Sequence, residues 1–277
     1  MLINPAYAGS SKWVVGSLKN RMHMSDIDGM PLNNVFSFQA PWQRKNVGFG
    51  IKLIHDKIAV TNRYMVTGMF SYHIGFGRGR LSFGLEGGVI NNHYNYDDLI
   101  RSIYDDPAIP EGAQSTLIPD VSTGIFYQNE YFWAGFSAYH LFNRKKSWPD
   151  YEKNQFYKQA RNFYLTGGYM HEISRDLILE PSFLLKYVKG VPPQADINVS
   201  LIFVEKVTAG LSYRTGDAIL AMVKVDITKN LKVMYSYDYT LSPLTSYSKG
   251  NHEFGISYGI ELLPPPAKKV IHPRYYF

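Results

Sequence analysis

The sequence predicts an all-β fold, a transmembrane antiparallel β-barrel of about fourteen strands with short periplasmic turns and longer extracellular loops. Three observations predict it. Apolar and polar residues alternate with period two in segment after segment, the connections between segments are alternately tight and long, and aromatic residues gather at segment ends.

The alternation is plainest in three places. In 46–56, Val47, Phe49, Ile51 and Leu53 share one face, and Gly48, Gly50 and Lys52 share the other. In 80–90, Leu81, Phe83, Leu85, Gly87 and Val89 oppose Ser82, Gly84, Glu86 and Gly88. Near the end, Phe254, Ile256, Tyr258 and Ile260 oppose Glu253, Gly255, Ser257 and Gly259. A helix would scatter these apolar residues round its whole surface, whereas a strand collects them on one side. Segments of this kind run over 13–22, 34–41, 46–56, 62–73, 80–90, 120–128, 131–141, 161–172, 176–187, 195–203, 206–214, 218–227, 230–240 and 251–262. The total is even, as in bacterial single-chain barrels, and most segments are long enough to cross a tilted bilayer path.

With a periplasmic N-terminus, even-numbered segments should end in tight turns. They do so at 41–45, 75–79, 128–130, 172–175, 204–205 and 228–229. Odd-numbered segments end in the longer stretches 23–33, 91–119, 142–160, 188–194 and 241–250, with short exceptions at 57–61 and 215–217. A soluble sandwich has no reason to sort its loops this way. Trp13, Trp42, Tyr64, Tyr72, Tyr127, Tyr131, Trp133, Tyr187 and Tyr213 lie near segment ends, where rings with an apolar body and a polar edge settle at headgroup depth.

Composition agrees. The chain has 277 residues, 45% hydrophobic and 15% aromatic. Its mean hydropathy is nonetheless −0.21, as expected when an apolar outer face is averaged with a polar inner one. The longest apolar run, 218–223, is far short of a membrane helix. Cysteine is absent, which removes disulfides, thiol catalysis and cysteine metal sites. The net charge of +6 is scattered, its one dense group Arg144-Lys145-Lys146 lies in a loop, and there is no nucleic-acid motif, so no nucleic-acid partner is expected.

Residues 3–10, Ile-Asn-Pro-Ala-Tyr-Ala-Gly-Ser, resemble the opening motif of the PorP/SprF family of type IX secretion system membrane proteins. The stretch 235–242, followed by Gly250, Asn251, His252 and Glu253, is similar to that family's end region. The closing Pro273-Arg274-Tyr275-Tyr276-Phe277 is similar to its Pro-Arg-aromatic ending, and Phe38-Gln39-Ala40-Pro41 and Asp56-Lys57 also fit. The resemblance implies a non-enzymatic outer-membrane component of type IX secretion or gliding motility. The partners it implies are the C-terminal sorting domain of secreted adhesins, periplasmic secretion subunits and outer-membrane lipid. It also marks Asn4, Pro5, Tyr7, Gly9, Tyr237, Asp238, Ser242, Gly250, His252, Glu253, Pro273, Arg274 and Phe277 as motif or partner-binding positions. Family members usually carry a signal peptide and a Gln/Phe-rich lead-in before the Asn-Pro motif. Neither stands here, so a processed or truncated start is expected.

Catalytic readings fail on spacing. His252-Glu253 lacks the second histidine of a zinc protease, since position 256 is Ile. Asp26-Ile27-Asp28-Gly29 is half a calcium loop, without the later glutamate. Gly75 to Gly79 is glycine-rich, but no helix follows to hold a phosphate. No histidine accompanies a Gly-x-Ser-x-Gly motif, so a lipid hydrolase is not favoured and no cofactor is expected. Lys52, His73, Glu86, Arg214, Lys224, Asp226 and Asp238 fall on the inner face, where they form a bracing network or else a polar path or docking surface. The long loops 91–119 and 142–160 are acidic–aromatic and basic–aromatic respectively, suited to recognition or to mutual pairing. The organisation read from the chain is a barrel over 1–262, including the Asn-Pro segment, and a Pro-rich periplasmic tail over 263–277. The function expected is secretion or surface attachment of large adhesin cargo with docking to periplasmic machinery. The alternative is a passive porin or small-solute channel.

Overall fold

The computed structural model describes residues 1–23, 30–96, 112–142, 145–146, 157–242 and 250–262. Fourteen antiparallel strands close into a barrel. They are β1 (Trp13–Met22), β2 (Leu32–Trp42), β3 (Val47–Ile58), β4 (Thr61–Phe76), β5 (Gly79–Asn95), β6 (Ala113–Gln128) and β7 (Phe132–Tyr139). The second half comprises β8 (Asn162–Tyr169, resuming after Met170 as His171–Ser174), β9 (Leu177–Val188), β10 (Gln194–Phe203), β11 (Val207–Arg214), β12 (Ala218–Asp226), β13 (Leu231–Thr240) and β14 (Asn251–Glu261). Each strand pairs with its neighbours in sequence, and β1 pairs with β14 from Trp13 opposite Glu261 to Met22 opposite His252. Closure leaves no free edge, the requirement for a sheet that crosses a bilayer.

All the expected segments are strands, but β5 and β6 are longer than the alternation indicated. They pair from Arg80 opposite Gln128 to Asn95 opposite Ala113, so 91–95 and 113–119 are strand and not loop. Pro119 hid this extension, because proline lacks a ladder donor. Val121 accepts from the Leu141 N–H on the β7 side, and Pro119, two residues earlier, points to the same edge. The β6–β7 ladder begins only at Thr123, so no hydrogen bond is lost there. The connection after β3 is only Ala59 and Val60, with Ala59 in the left-handed region at φ 48°.

The faces follow the alternation. Phe49, Ile51 and Leu53 are 41%, 48% and 40% exposed, whereas Lys52 between them is 2% exposed. An apolar belt of this kind, repeated on every long strand, is a lipid-facing surface and not a solvated one. Trp42, Tyr64, Tyr72, Tyr187 and Tyr213 face outward as girdle residues should. Trp13 and Trp133 do not. The Trp13 ring lies over Gly259 on the inner wall, and Trp133 Nε1 donates to Glu180 within the barrel at 3.0 Å. Both sit at strand ends, but their parity in the pleat turns them inward. The buried apolar side chains are also internal, among them Val35, Met65, Met69, Ile90, Ile118 and Phe126 on β2 to β6.

Candidate functional site

Residues 1–10 lie inside the barrel. A short 3-10 turn, Pro5–Tyr7, is capped by Asn4, whose Oδ1 accepts from the Ala6 N–H at 3.0 Å. Asparagine suits the cap and proline suits the first turn position, where no donor is needed. The same Asn4 side chain donates through Nδ2 to the carbonyls of Ile125 and Phe136 on β6 and β7, at 2.9 and 3.3 Å. One side chain thus folds the segment and ties it to the wall.

The wall is shaped to receive it. Pro41, Gly48, Ser71, Gly84, Gly124 and Ser137 are successive register partners from β2 to β7, forming one row of small residues. A Cβ on Gly48 would lie 2.2 Å from the Ala8 carbonyl oxygen, one on Gly84 2.1 Å from the Ala6 nitrogen, and one on Gly124 2.1 Å from Asn4 Oδ1. The row is therefore a shallow trough in which two backbones meet without side chains between them. Its polar groups complete the contact. Ser71 Oγ donates to the Ala8 carbonyl at 2.6 Å, Ser137 Oγ to Ile3 at 2.5 Å, and the Tyr139 hydroxyl to Leu2 at 3.2 Å. The Gly9 N–H donates to Gln39 Oε1 at 3.2 Å, and the Arg80 guanidinium donates to the Ser10 carbonyl. Tyr7 packs edge-on against Phe126, centroids 5.2 Å apart.

Beside this plug the side chains of Lys52 and Glu86 are shut off from solvent, while cavities of about 480 and 790 Å³ lie against Asn4 and Tyr7 and against Gly9 and Ser10. Lys52 Nζ lies 2.8 Å from Glu86, both side chains almost fully buried, and 4.9 Å from the centre of the Tyr139 ring. His73 bridges Ser71 and Ser82, at 3.3 and 2.8 Å. Asp120 meets His140 Nδ1 and Gln159 Nε2, each at 3.0 Å, so both arms of the β7–β8 connection dip into the lumen. His140 holds a left-handed backbone at φ 60° to make that turn.

The opposite wall carries a ladder of ion pairs. Lys186 lies 3.6 Å from Asp196, Asp196 3.0 Å from Arg214, and Arg214 3.7 Å from Asp238. Asp238 pairs with Arg21, Arg21 lies 3.5 Å from Glu253, and Glu253 lies 2.9 Å from Lys19. Charges of alternating sign thus run from β9 through β10, β11, β13 and β1 to β14. Below them Ser182, Asn198, Ser200, Ser212 and Ser236 line a cavity of about 280 Å³ that the plug does not reach.

The residues singled out by sequence therefore divide. Asn4, Pro5 and Gly9 are buried in the plug, and Tyr7 is half-buried beside it. Asp238, Glu253 and Arg214 belong to the ladder, which spans the β1–β14 seam. His252 faces outward, its Nδ1 2.9 Å from the Tyr235 hydroxyl and its ring 4.9 Å from Tyr237. Ser242 donates its N–H to the Asp217 carbonyl, and Gly250 (φ 127°) sits against the Asp238 carbonyl, where a Cβ would lie 2.3 Å away. Lys52 pairs with Glu86, and His73 sits apart from them between Ser71 and Ser82, while Asp226 pairs locally with Lys232, and Lys224 makes no ion pair among the described residues. They do not form one network. Pro273, Arg274 and Phe277 lie outside the described residues. Arg21, Lys186, Asp196, Asp120 and His140 were not singled out. The inward parity of Asp196, directly opposite Arg214, was the available signal.

Comparison with known proteins places this architecture. The family described as type IX secretion system membrane protein PorP/SprF matches residues 1–258. No curated protein matches the chain. Among solved structures, a TodX deltaS2S3 mutant, a monoaromatic hydrocarbon channel, is similar at 10% identity and TM-score 0.56, covering 94% of each chain. A Pseudomonas aeruginosa FadL homologue reaches 10% identity and TM-score 0.49, covering 93% of this chain and 92% of its own. Acinetobacter baumannii Omp33 reaches 7% and 0.48, covering 90% and 99%. At 10% identity the likeness to the TodX structure is one of outer-membrane barrel fold alone.

Proposed function

Since the chain belongs to the PorP/SprF family of type IX secretion system membrane proteins, we propose that it is a non-enzymatic docking barrel. In this reading it supports secretion or surface attachment of large adhesin cargo and engages periplasmic subunits of the machine. The observation that carries the reading is the plug. A transport pore is served by an unobstructed lumen, whereas this barrel spends its inner wall from β2 to β7 on holding its own N-terminal segment. A wall stiffened from inside suits a platform that bears load at its loops and turns.

Strand β14 ends at the short-turn side, and the motif residues Pro273, Arg274 and Phe277, which come after it in the sequence, are assigned to the periplasmic contact. The end-region residues Tyr237, Ser242, Gly250 and His252 stand at the opposite rim, where they are assigned to support the cargo-facing loop between β13 and β14. Co-purification from the native outer membrane tests this. Recovery of an adhesin C-terminal domain or of periplasmic subunits is expected, and their loss on shortening the chain at Leu263 would locate the periplasmic contact.

A second reading, a passive channel for small solutes, draws on the uncovered polar wall and its cavity. Planar-bilayer recording separates the two. The docking reading expects no steady large conductance from the isolated protein, and a stable open pore would favour the channel.

A further inference from the structure

The outer surface carries a polar patch that neither the plug nor the ladder explains. At the long-loop end of β1 to β6, each strand carries a polar outward side chain two positions beyond an apolar one, with Met22 and Leu32 following farther out on β1 and β2. Leu18 is followed by Asn20, Phe36 by Asn34, Leu53 by His55, Val66 by Tyr64, Val89 by Asn91, and Leu117 by Ser115. From Asn20 to Asn91 these are successive register partners on five strands, making one unbroken outward row. At strand spacings of about 4.8 Å such a row is roughly 19 Å long.

Four strands on the other side of the rim are different. On β8, β9, β11 and β13 the outward positions near that end are Phe163, Tyr187, Tyr213 and Tyr239, and Phe163 stacks on Tyr187 with centroids 6.2 Å apart. That is an ordinary aromatic girdle. The patch on β1 to β6 presents amides, an imidazole and a phenol in its place.

These groups hold one another only in part. Asn20 Nδ2 donates to Asn34 Oδ1 at 2.7 Å, His55 Nε2 meets Asn62 at 3.3 Å, and the His55 and Tyr64 rings stack at 4.6 Å. Among the described residues, the Asn34 amide nitrogen, the Asn20 amide oxygen, His55 Nδ1 and the Tyr64 hydroxyl have no protein partner. Lys57, exposed two residues beyond His55, adds a cation.

We propose that this patch binds the phosphorylated saccharide headgroup of an outer-leaflet glycolipid. Donors and acceptors at the top of an apolar belt face lipid headgroups and not bulk solvent. The long-loop end of an outer-membrane barrel lies in the leaflet where those headgroups are sugars and phosphates. A line of this length exceeds one glycerophospholipid headgroup and matches a phosphorylated disaccharide. Acyl chains then run down over Leu18, Phe36, Leu53 and Val66, while Lys57 meets phosphate.

Native mass spectrometry of the folded full chain, with purified lipid A or phosphatidylethanolamine as probe, tests the proposal. The unaltered protein should retain lipid A in preference to phosphatidylethanolamine. Asn34→Ala with Tyr64→Phe should weaken lipid A retention by about fivefold for each hydrogen bond removed. Phosphatidylethanolamine retention should not change, and Tyr187→Ala on the aromatic rim should leave both unchanged. Equal retention of the two lipids by the unaltered protein overturns the proposal, as does unchanged lipid A retention by the patch variant. If the double variant shows no heat-modifiable folded band, the comparison of the two lipids and the single Tyr64→Phe change decide the matter.

Discussion

The wall from β2 to β8 and the wall from β9 through β14 to β1 follow the same alternation, yet their inner faces end in different states. On the first, Gly48, Gly84 and Gly124 let a second backbone approach and cover part of the wall. Lys52, Glu86, Ser71, Ser82 and Ser122 are all at most 2% exposed. On the second, Ser200, Ser212 and Asn198 line a cavity that no plug residue lines, and Lys19 remains 37% exposed in its ion pair. The plug thus shelters the first wall around Lys52 and Glu86 and leaves the second open at Lys19. The difference matters because an ion pair is strong, and also costly to break, only where water is excluded.

The sharpest way to break the comparison is at Lys52. Lys52→Met leaves Glu86 buried without its cation and should destabilise the barrel by about 3–5 kcal/mol. Urea unfolding in lipid vesicles measures this. Lys52→Met combined with Glu86→Leu should recover most of the loss, because a charge left alone is the main penalty. A loss under about 1 kcal/mol in the single variant would mean that water reaches the pair.

Refilling the trough tests its cause. Gly84→Val places side-chain atoms where Ala6 now lies and should destabilise by about 1–3 kcal/mol through overpacking. Strand pairing is carried by the backbone, so the barrel should persist while residues 1–10 become open to proteolysis. Ser212→Val on the second wall is the control, and protease protection of the N-terminal segment should not change there. Asn4→Ala follows at about 1–2 kcal/mol, since it removes the turn cap and the two bonds to β6 and β7 while leaving the trough intact. If Asn4→Ala frees the segment as fully as Gly84→Val, the tie and not the fit holds the plug.

How much of this was legible in the sequence depends on whether one strand or several must be read. Parity within a strand is local, so the inward placement of Lys52, Glu86, His73 and Arg214 follows from period two alone. The trough is different, because Gly48, Ser71, Gly84 and Gly124 become a row only once the register of four strands is set. A shift of one residue between any two would scatter them. The ladder has the same character. Arg21 and Asp238 lie at opposite ends of the chain and meet because β1 and β14 close the seam. Pro119 concealed seven residues of β6 because its harmlessness depends on where β7 stops, which no property of β6 reveals. Trp13 and Trp133 were misplaced for a simpler reason. Position near a strand end does not set the face; parity does.

The smallest expected effect is on the second wall and is informative for that reason. Lys19→Ala removes one end of the ladder, where Lys19 is 37% and Glu253 16% exposed. A pair this open contributes roughly 0–1 kcal/mol, and Glu253 keeps Arg21 as a second cation at 3.5 Å. The loss should also shrink as salt rises from about 0.05 to about 0.5 M, because exposed charges are screened over that range. Lys52→Met should show no such salt dependence. Two lysines are each paired with a glutamate at 2.8 and 2.9 Å, one almost fully buried and one open to solvent. If their losses and salt responses coincide, the plug does not control the chemistry of the wall it covers; if they diverge, burial by residues 1–10 is what sets the strength of the Lys52–Glu86 pair.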